Sequence, residues 1–464
     1  MSWAQYVLVV AIAAGVWADQ APLPDLRNVK VIRKVSLMSN EAVQKIGVHV
    51  VNDGDTTAKS YRLTLSDMDA SRLAECTLIV NNIAFESACS GVLSSDDGYK
   101  FVDVAFPKPL APGNALKFRV QLVFIHVCEP LPKAITQGTL PYVVTENSAV
   151  LLSPYPTDKQ TTTFRLGTRN VLSFSEPGRQ VKDNIEYGPF ENISALSTIP
   201  VKIHFMHDKA FATVTKLIKE IEVSHWGNVA VEEHYLIRND GPLLKGEYSR
   251  LDYDSGQVST SGIFQWLVAH LPPHAQDLYY RDSIGNVSTS RVRPMKDEVH
   301  FEMATRFPIM GGWTTDFYFG FNIPSVFALY NVKSLSGKKH YVLNMPFGTN
   351  LDFLVVDEMI VRVILPEGST NIKWEAPFID VAEERGFRRT YLDTIGRPML
   401  ELRKKNVVSG YHGKAFQVTY SFDHYSLLRE PLLLFTGFFL FFMFSVVYSR
   451  IKLFSFKTKK KKTE

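Results

Sequence analysis

The amino-acid sequence predicts a mainly β protein, with two tandem related β-sandwich-like domains followed by one C-terminal transmembrane α-helix. Three observations lead there. Segments rich in β-branched and aromatic residues, bounded by Gly, Pro, Asn or Asp, recur through most of the chain, as in KIGVHVVNDG (45–54), LKFRVQLVFIHV (116–127) and MIVRVILPEG (359–368). Short motifs return at a fixed distance. An uncharged apolar run then meets a block of lysines at the C-terminal end.

Taken in chain order, residues 1–18 (MSWAQYVLVVAIAAGVWA) read as a signal peptide, with an apolar stretch from Tyr6 to Val16 and small Ala18 before polar Asp19 and Gln20. No Lys or Arg precedes that stretch, so the α-amino group supplies its positive charge. At the other end, the run from Pro431 to Tyr448 carries no charge, and most of it is Leu, Phe, Val or Met. As a helix it reaches about 27 Å, close to the hydrocarbon thickness of an ER-type bilayer. The predicted span is 429–449. Arg450, Lys452, Lys457 and Lys459 to Lys462 lie beyond it in a short basic tail, 450–464, whereas Arg429 before it is balanced by Glu430. The positive-inside bias places that tail in the cytosol and the bulk of the chain on the lumenal or extracellular side, a type I topology. Composition reads differently in this light. The chain is formally +4, but residues 449–464 carry seven positive charges and one negative, so the remainder is +4 − 6 = −2. A nucleic-acid partner therefore has no electrostatic support in the ectodomain.

The ectodomain carries signs of duplication. KIGVHVVNDG lines up with EEHYLIRNDG, Asn52 with Asn239, and NIEYGPF (184–190) lines up with NIKWEAPF (371–378), Asn184 with Asn371; the two offsets are identical. Between them LAPGNAL (110–116) resembles LPPHAQDL (271–278) at a shorter offset. Two related β domains follow, 19–210 and 211–428. The segment KAFATVTKLIKEIEV (209–223) fits a helical stripe or a strand, and its alignment with RKVSL favours a strand.

Candidate chemistry is sparse. Three cysteines, Cys76, Cys89 and Cys128, exclude a disulfide framework. Cys76 and Cys89 can pair across a loop, leaving Cys128 a buried thiol, or all three stay free. Two Asp-x-Asp pairs, Asp67/Asp69 and Asp252/Asp254, invite a metal-dependent glycosyltransferase reading. They follow the two NDG turns at nearly the same place in each domain, which instead suits exposed turn residues of a shared fold. His204 and His207 in HFMHD would face apart on a strand and read as surface or linker histidines. Neither H-E-x-x-H nor G-x-S-x-G occurs. No catalytic, cofactor-binding or metal-ligating residue is assigned, and no cofactor is expected. Asn192 (ENIS) and Asn286 (GNVS) are N-glycosylation candidates in turn-like contexts. Trp226 and Trp313, each in a Gly-containing turn, read as core anchors of the second sandwich, with a partner contact as the alternative.

The strings VSHWGNVAVEE (223–233), DLYYRDSIGNVSTS (277–290), RFPIMGGWTTDFYFGFNIPS (306–325), VRVILPEG (361–368), TYLDTIGRP (390–398) and LLREPLLL (427–434) together resemble the ribophorin I family, densely over 220–435 and more thinly before it. That resemblance implies a non-catalytic, single-span subunit of the ER oligosaccharyltransferase, the complex that moves a dolichol-linked glycan to Asn of nascent polypeptides. It further implies an ER-membrane location with the bulk of the chain lumenal. The expected partners are a multispanning catalytic subunit, other subunits of the complex and nascent acceptor chains nearby. An independent ER cargo receptor or lectin-like chaperone is the alternative. Animal members of the family continue into a sizeable cytosolic domain linked to ribosome contact. Here only Ser449 to Glu464 follow the apolar run, so that role is not carried over, and the chain looks more like the short-tailed fungal form. The ending KKTE places Lys461 and Lys462 as in the dilysine ER-retrieval signal.

Overall fold

The computed structural model describes residues 24–460 apart from 86–87, 91, 95–98, 257, 334–338, 353, 377–380 and 391. Residues 1–18, expected as a signal peptide, and Lys461 and Lys462 lie outside the described residues. Strand accounts for 58% of the structure and helix for 12%, so the mainly β class holds.

Two eight-stranded sheets dominate. In space the first runs Ile83–Phe85, Leu73–Val80, Ala115–Ile125, Glu41–Asn52, Leu26–Ser36, Thr157–Arg165, Asn184–Ile193, Arg179–Val181. The second runs Gly285–Asn286, Gln276–Asp282, Thr314–Pro324, Asn228–Asn239, Ala212–Ser224, Val355–Ile364, Arg397–Val407, Ala382–Arg388. The order matches strand for strand. In each, the fifth and sixth strands pair in parallel, Leu26–Ser36 with Thr157–Arg165 and Ala212–Ser224 with Val355–Ile364. In each, the leading hairpin has a register shift at the same place, Asn28/Lys30 and Val214/Lys216. The segment that could have been helical, 209–223, is mostly strand. Its inward residues Leu217, Ile221 and Val223 alternate, as one-sided burial requires.

A three-stranded and a four-stranded sheet face each large sheet. In the first copy these hold Ala58–Leu65 with Lys100–Leu110, and Tyr142–Ser148 with Pro200–Met206; in the second, Phe264–Leu271 with Val299–Ile309, and Lys339–Pro346 with Ala415–Ser421. Side chains from both layers fill one core per copy: Val31, Ile46, Tyr61, Val102 and Phe205 in the first, and Leu217, Val231, Phe301, Phe319 and Val418 in the second. This is a sandwich, repeated.

The topology corrects two of the three sequence alignments. Asn184 opens a strand of the first large sheet whose counterpart begins at Arg397, whereas Asn371 lies in Thr370–Glu375, the counterpart of Val171–Phe174 in a small sheet. LAPGNAL corresponds to the turn at 309–315 and not to 271–278. The NDG match survives, for a physical reason. Asn52 and Asn239 are both fully buried. Asn52 Nδ2 donates to the carbonyls of Thr56 (2.8 Å) and Leu110 (2.9 Å), and its Oδ1 accepts from Gly54 N (3.2 Å). Asn239 repeats this with Gly262 (2.8 Å), Ile309 (3.0 Å) and Gly241 N (3.0 Å). In each copy one side chain ties the turn that follows it to the end of a small-sheet strand, so this position holds its identity while neighbouring strands need only hold their alternation.

After the second copy comes a helix, Arg429–Lys460, and its apolar part is not buried against the rest of the chain. It is the one helix among the described residues long and apolar enough to cross a membrane.

Candidate functional site

The residues that suggested chemistry do not assemble into a catalytic site. Asp67 and Asp69 sit in the first turn of the short helix Asp67–Arg72, which follows the strand Ala58–Leu65. Asp252 and Asp254 sit in Arg250–Asp254, which precedes the corresponding strand Phe264–Leu271. The two pairs are therefore in non-equivalent connections, and their similar placement after the NDG turns does not reflect the duplication. Each helix is capped by a serine: Ser66 Oγ accepts from Asp69 N (3.1 Å) and Ser249 Oγ from Asp252 N (3.3 Å). Acidic groups in a first turn favour the helix N-terminus, which accounts for Asp67, Asp69 and Asp252 without a metal, and Asp254 pairs with Arg250 at 3.2 Å.

His204 and His207 also separate. His204 Nε2 lies 2.8 Å from the Leu131 carbonyl oxygen. His207 is not a surface residue: it is 3% exposed, stacks on Phe211 with ring centres 4.4 Å apart, and burial lowers its pKa. Cys76 and Cys89 are joined in a disulfide. Cys128 is free, and burial pushes its thiol up to about 12, which leaves it a poor nucleophile.

Among the described residues, one group of metal-capable side chains comes close together: His270, Glu298 and His300. His270 and His300 face each other across paired strands. Glu298 lies 3.0 Å from His270 Nδ1 and 2.6 Å from His300 Nε2, and Asp352 lies 2.7 Å from His270 Nε2. Each of these contacts is already a histidine–carboxylate hydrogen bond. Burial works to lower the His270 pKa, but the Glu298 and Asp352 bonds outweigh it and the net direction is upward. The arrangement favours an imidazolium held by two carboxylates.

Two other features stand out as functional surfaces. The first is the junction of the copies. His126 Nε2 meets Asp357 at 2.7 Å. Asn40 Nδ2 donates to the Ala212 carbonyl at 3.2 Å, and Glu41 accepts from Ser409 N (2.6 Å) and Oγ (2.8 Å). Val123 and Ile125 of the first copy join the core of the second. The second feature is the end from which the long helix leaves. There Arg397 Nη2 donates to Glu430 at 3.0 Å, and a narrow cleft is lined by His225, Trp226, Arg397, Leu427 and Glu430. Trp226 is not a core anchor: it is 66% exposed at the tip of the hairpin, next to Gly227 at φ +110°. Trp313 is half-buried, edge-on to Tyr248 with ring centres 5.7 Å apart.

A family model described as Ribophorin I matches residues 26–449, that is, both copies and the apolar helix. The chain belongs to the ribophorin I family. Subunit 1A of dolichyl-diphosphooligosaccharide–protein glycosyltransferase from Arabidopsis thaliana is 36% identical over 459 residues, which is 96% of this chain and 73% of the relative. Subunit 1B from the same plant is 39% identical, covering 77% of this chain and 76% of its own. Subunit 1 from Caenorhabditis elegans is 38% identical, over 75% and 59% respectively.

In this ribophorin I family member both sequons are exposed. Asn192 lies near the end of Asn184–Ile193 at φ +54°, a left-handed conformation that asparagine tolerates. Asn286 closes the hairpin Gln276–Asp282/Gly285–Asn286, where its Oδ1 accepts from Arg281 Nε at 2.7 Å. Sequence reasoning missed the junction residues His126, Glu41 and Ser409, because nothing local marks a contact between residues so distant in the chain. Trp226 was within reach, since a large aromatic between His225 and Gly227 in a hairpin tip has little to pack against.

Proposed function

We propose that this chain is an accessory, non-catalytic subunit of oligosaccharyltransferase, supporting transfer of a dolichol-linked glycan to Asn of nascent polypeptides. The observation that carries this is the match over residues 26–449 to ribophorin I, with relatives named as subunits of that transferase. Physical chemistry supports the accessory part. A lipid-linked donor must be met at the membrane, and the apolar span offers only Thr436 and Ser445 as hydroxyl groups among residues 431–447. A multispanning catalytic partner would hold the donor. This chain would contribute two lumenal β units, 19–210 and 211–428, anchored type I in the ER membrane, with Asn192 and Asn286 open to modification.

Depleting the chain should leave reporter glycoproteins under-glycosylated. Restoring either the native chain or one carrying Asp67→Asn with Asp252→Asn should recover full occupancy. Normal occupancy after depletion would overturn the subunit reading. Loss of activity in the double variant would overturn the non-catalytic one.

A further inference from the structure

The strand registers bring one set of loops to one end of the second copy. Asn228 pairs with Pro324, Asn322 with Gln276, Glu222 with Ile364, Ile364 with Met399, and Arg388 with Arg397. The hairpin tip 225–227, the turn 325–328, the loop 365–369 and residues 392–396 therefore share the edge from which the long helix departs. The Arg397–Glu430 ion pair fixes the start of that helix to this edge.

Exposed large apolar side chains gather at this edge. Trp226, Val326, Ile395 and Tyr425 are 66%, 69%, 60% and 80% exposed, and Phe327 is exposed beside them. The exposure is built into the fold. Ser325 N donates to the Gly227 carbonyl at 3.0 Å, and Phe327 stacks on His274 with ring centres 3.5 Å apart. Glu367 accepts from Thr394 N (3.0 Å) and Gly396 N (3.2 Å), and also from Ile395 N, so Ile395 is held outward on a pinned backbone. Exposed Arg388 and Arg389 flank this loop. The equivalent edge of the first copy, at 37–40 and 125–128, is covered by the second copy through Asn40 and His126.

We propose that this edge is seated in the headgroup boundary of the membrane that the helix crosses, with Trp226, Val326, Phe327, Ile395 and Tyr425 as its lipid contacts. Continuity selects lipid as the occupant. The patch surrounds the point where an apolar span begins, and Trp and Tyr beside a span, with arginines at the rim, favour the interfacial zone. The copy closest to the bilayer is thereby held upright at a fixed height, and the first copy stands above it. This inference rests on reading the apolar part of Arg429–Lys460 as a membrane span.

The test uses the full-length chain in phosphatidylcholine vesicles brominated near the headgroup end of the acyl chains, both alone and within the purified complex. Tryptophan fluorescence should be quenched in both preparations, and Trp226→Phe should remove most of that quenching. Val326→Ser with Phe327→Ser should reduce it while the circular dichroism stays native. Failure of the chain to float with the vesicles would overturn the span reading itself. Flotation without quenching, or quenching unchanged by Trp226→Phe, would overturn the lipid seat alone. Quenching in the isolated chain that vanishes in the complex would assign the patch to a protein partner and overturn the proposal as well.

Discussion

The two copies share a topology and the turn-organising asparagine, but they solve the same internal problem differently. Arg33 and Lys219 occupy equivalent places in their leading strands, and both cations are buried. Each reaches the end of the equivalent small-sheet strand: Arg33 Nη1 donates to the Ser148 carbonyl (2.5 Å), and Lys219 Nζ to those of Pro346 (3.1 Å) and Gly348 (2.7 Å). The compensating groups differ. In the second copy Glu233 lies across the hairpin 3.1 Å from Lys219, at 0% exposure, and is itself bonded by Asn350 Nδ2 at 2.7 Å and by Tyr235. In the first copy the residue across from Arg33 is Ile46. There Asn147 Oδ1 (2.7 Å) and the Gln44 amide oxygen, turned towards the guanidinium at 2.6 Å, make the direct bonds, and the Asp69 carboxylate acts on the charge without bonding to it. Burial lowers the Arg33 pKa to about 10, yet the group stays charged at neutral pH. A delocalised guanidinium is served by neutral acceptors, whereas a compact ammonium takes a counter-ion.

The largest effect that this difference predicts is at Glu233. Glu233→Gln leaves a buried ammonium without a counter-charge and should cost about 3–5 kcal/mol in denaturant unfolding. Gln44→Leu in the first copy removes one neutral acceptor and should cost about 1–3 kcal/mol. Equal losses would mean that the two cations are compensated alike, and the contrast would fail.

Covalent cross-linking is another asymmetry, since the disulfide belongs to the first copy. Replacing Cys76 and Cys89 together by serine should cost about 3 kcal/mol, as expected for a loop of this length. Limited proteolysis should show the loss in the first copy, with the second protected as before.

The junction carries a pH dependence. His412, beside Ser409 and Tyr411 in the segment that reaches the first copy, has its pKa lowered to about 4 by burial and then by the Lys219 charge. The unfolded chain takes up that proton near the ordinary value of 6.5, so stability is lost as pH falls from there towards 4, by about 3 kcal/mol. His270 has the opposite sign: its raised pKa contributes stability below the ordinary value that is lost as pH rises through the raised one. It therefore cannot produce the acid loss. Thermal melts of His412→Leu between pH 7 and 4 should show a flatter acid limb than the native chain.

The smallest contrast concerns what the copies share. Asn52→Ala and Asn239→Ala each remove the same three hydrogen bonds and should cost about 1–3 kcal/mol, alike in both copies within error. A large difference would show that the shared turn is held by other contacts in one of them.

The fold class and the span were legible because both rest on local pattern: alternation in strands, and length without charge in the helix. The duplication was legible at the NDG turn, where a buried side chain fixes residue identity. It was misread at NIEYGPF and LAPGNAL, where strands and turns of different sheets happen to share composition. The buried cations were legible in part. Lys219 has the parity of Ile221 and Val223, and Arg33 that of Val31 and Val35, so alternation places both inward. Their partners at 147–148 and 346–350 come from sheet packing that no local pattern records. The disulfide depended likewise on strand placement, and the exposed edge at Trp226 on registers across seven strands.

As a ribophorin I family member, this chain should work as a fixed part of a glycosyl-transfer complex rather than alone. Purification of the native chain in mild detergent tests it most directly. The expected result is co-elution with a multispanning catalytic subunit in constant stoichiometry through successive columns. A monodisperse monomer, binding free glycan and carrying no such partner, would show that the chain works alone.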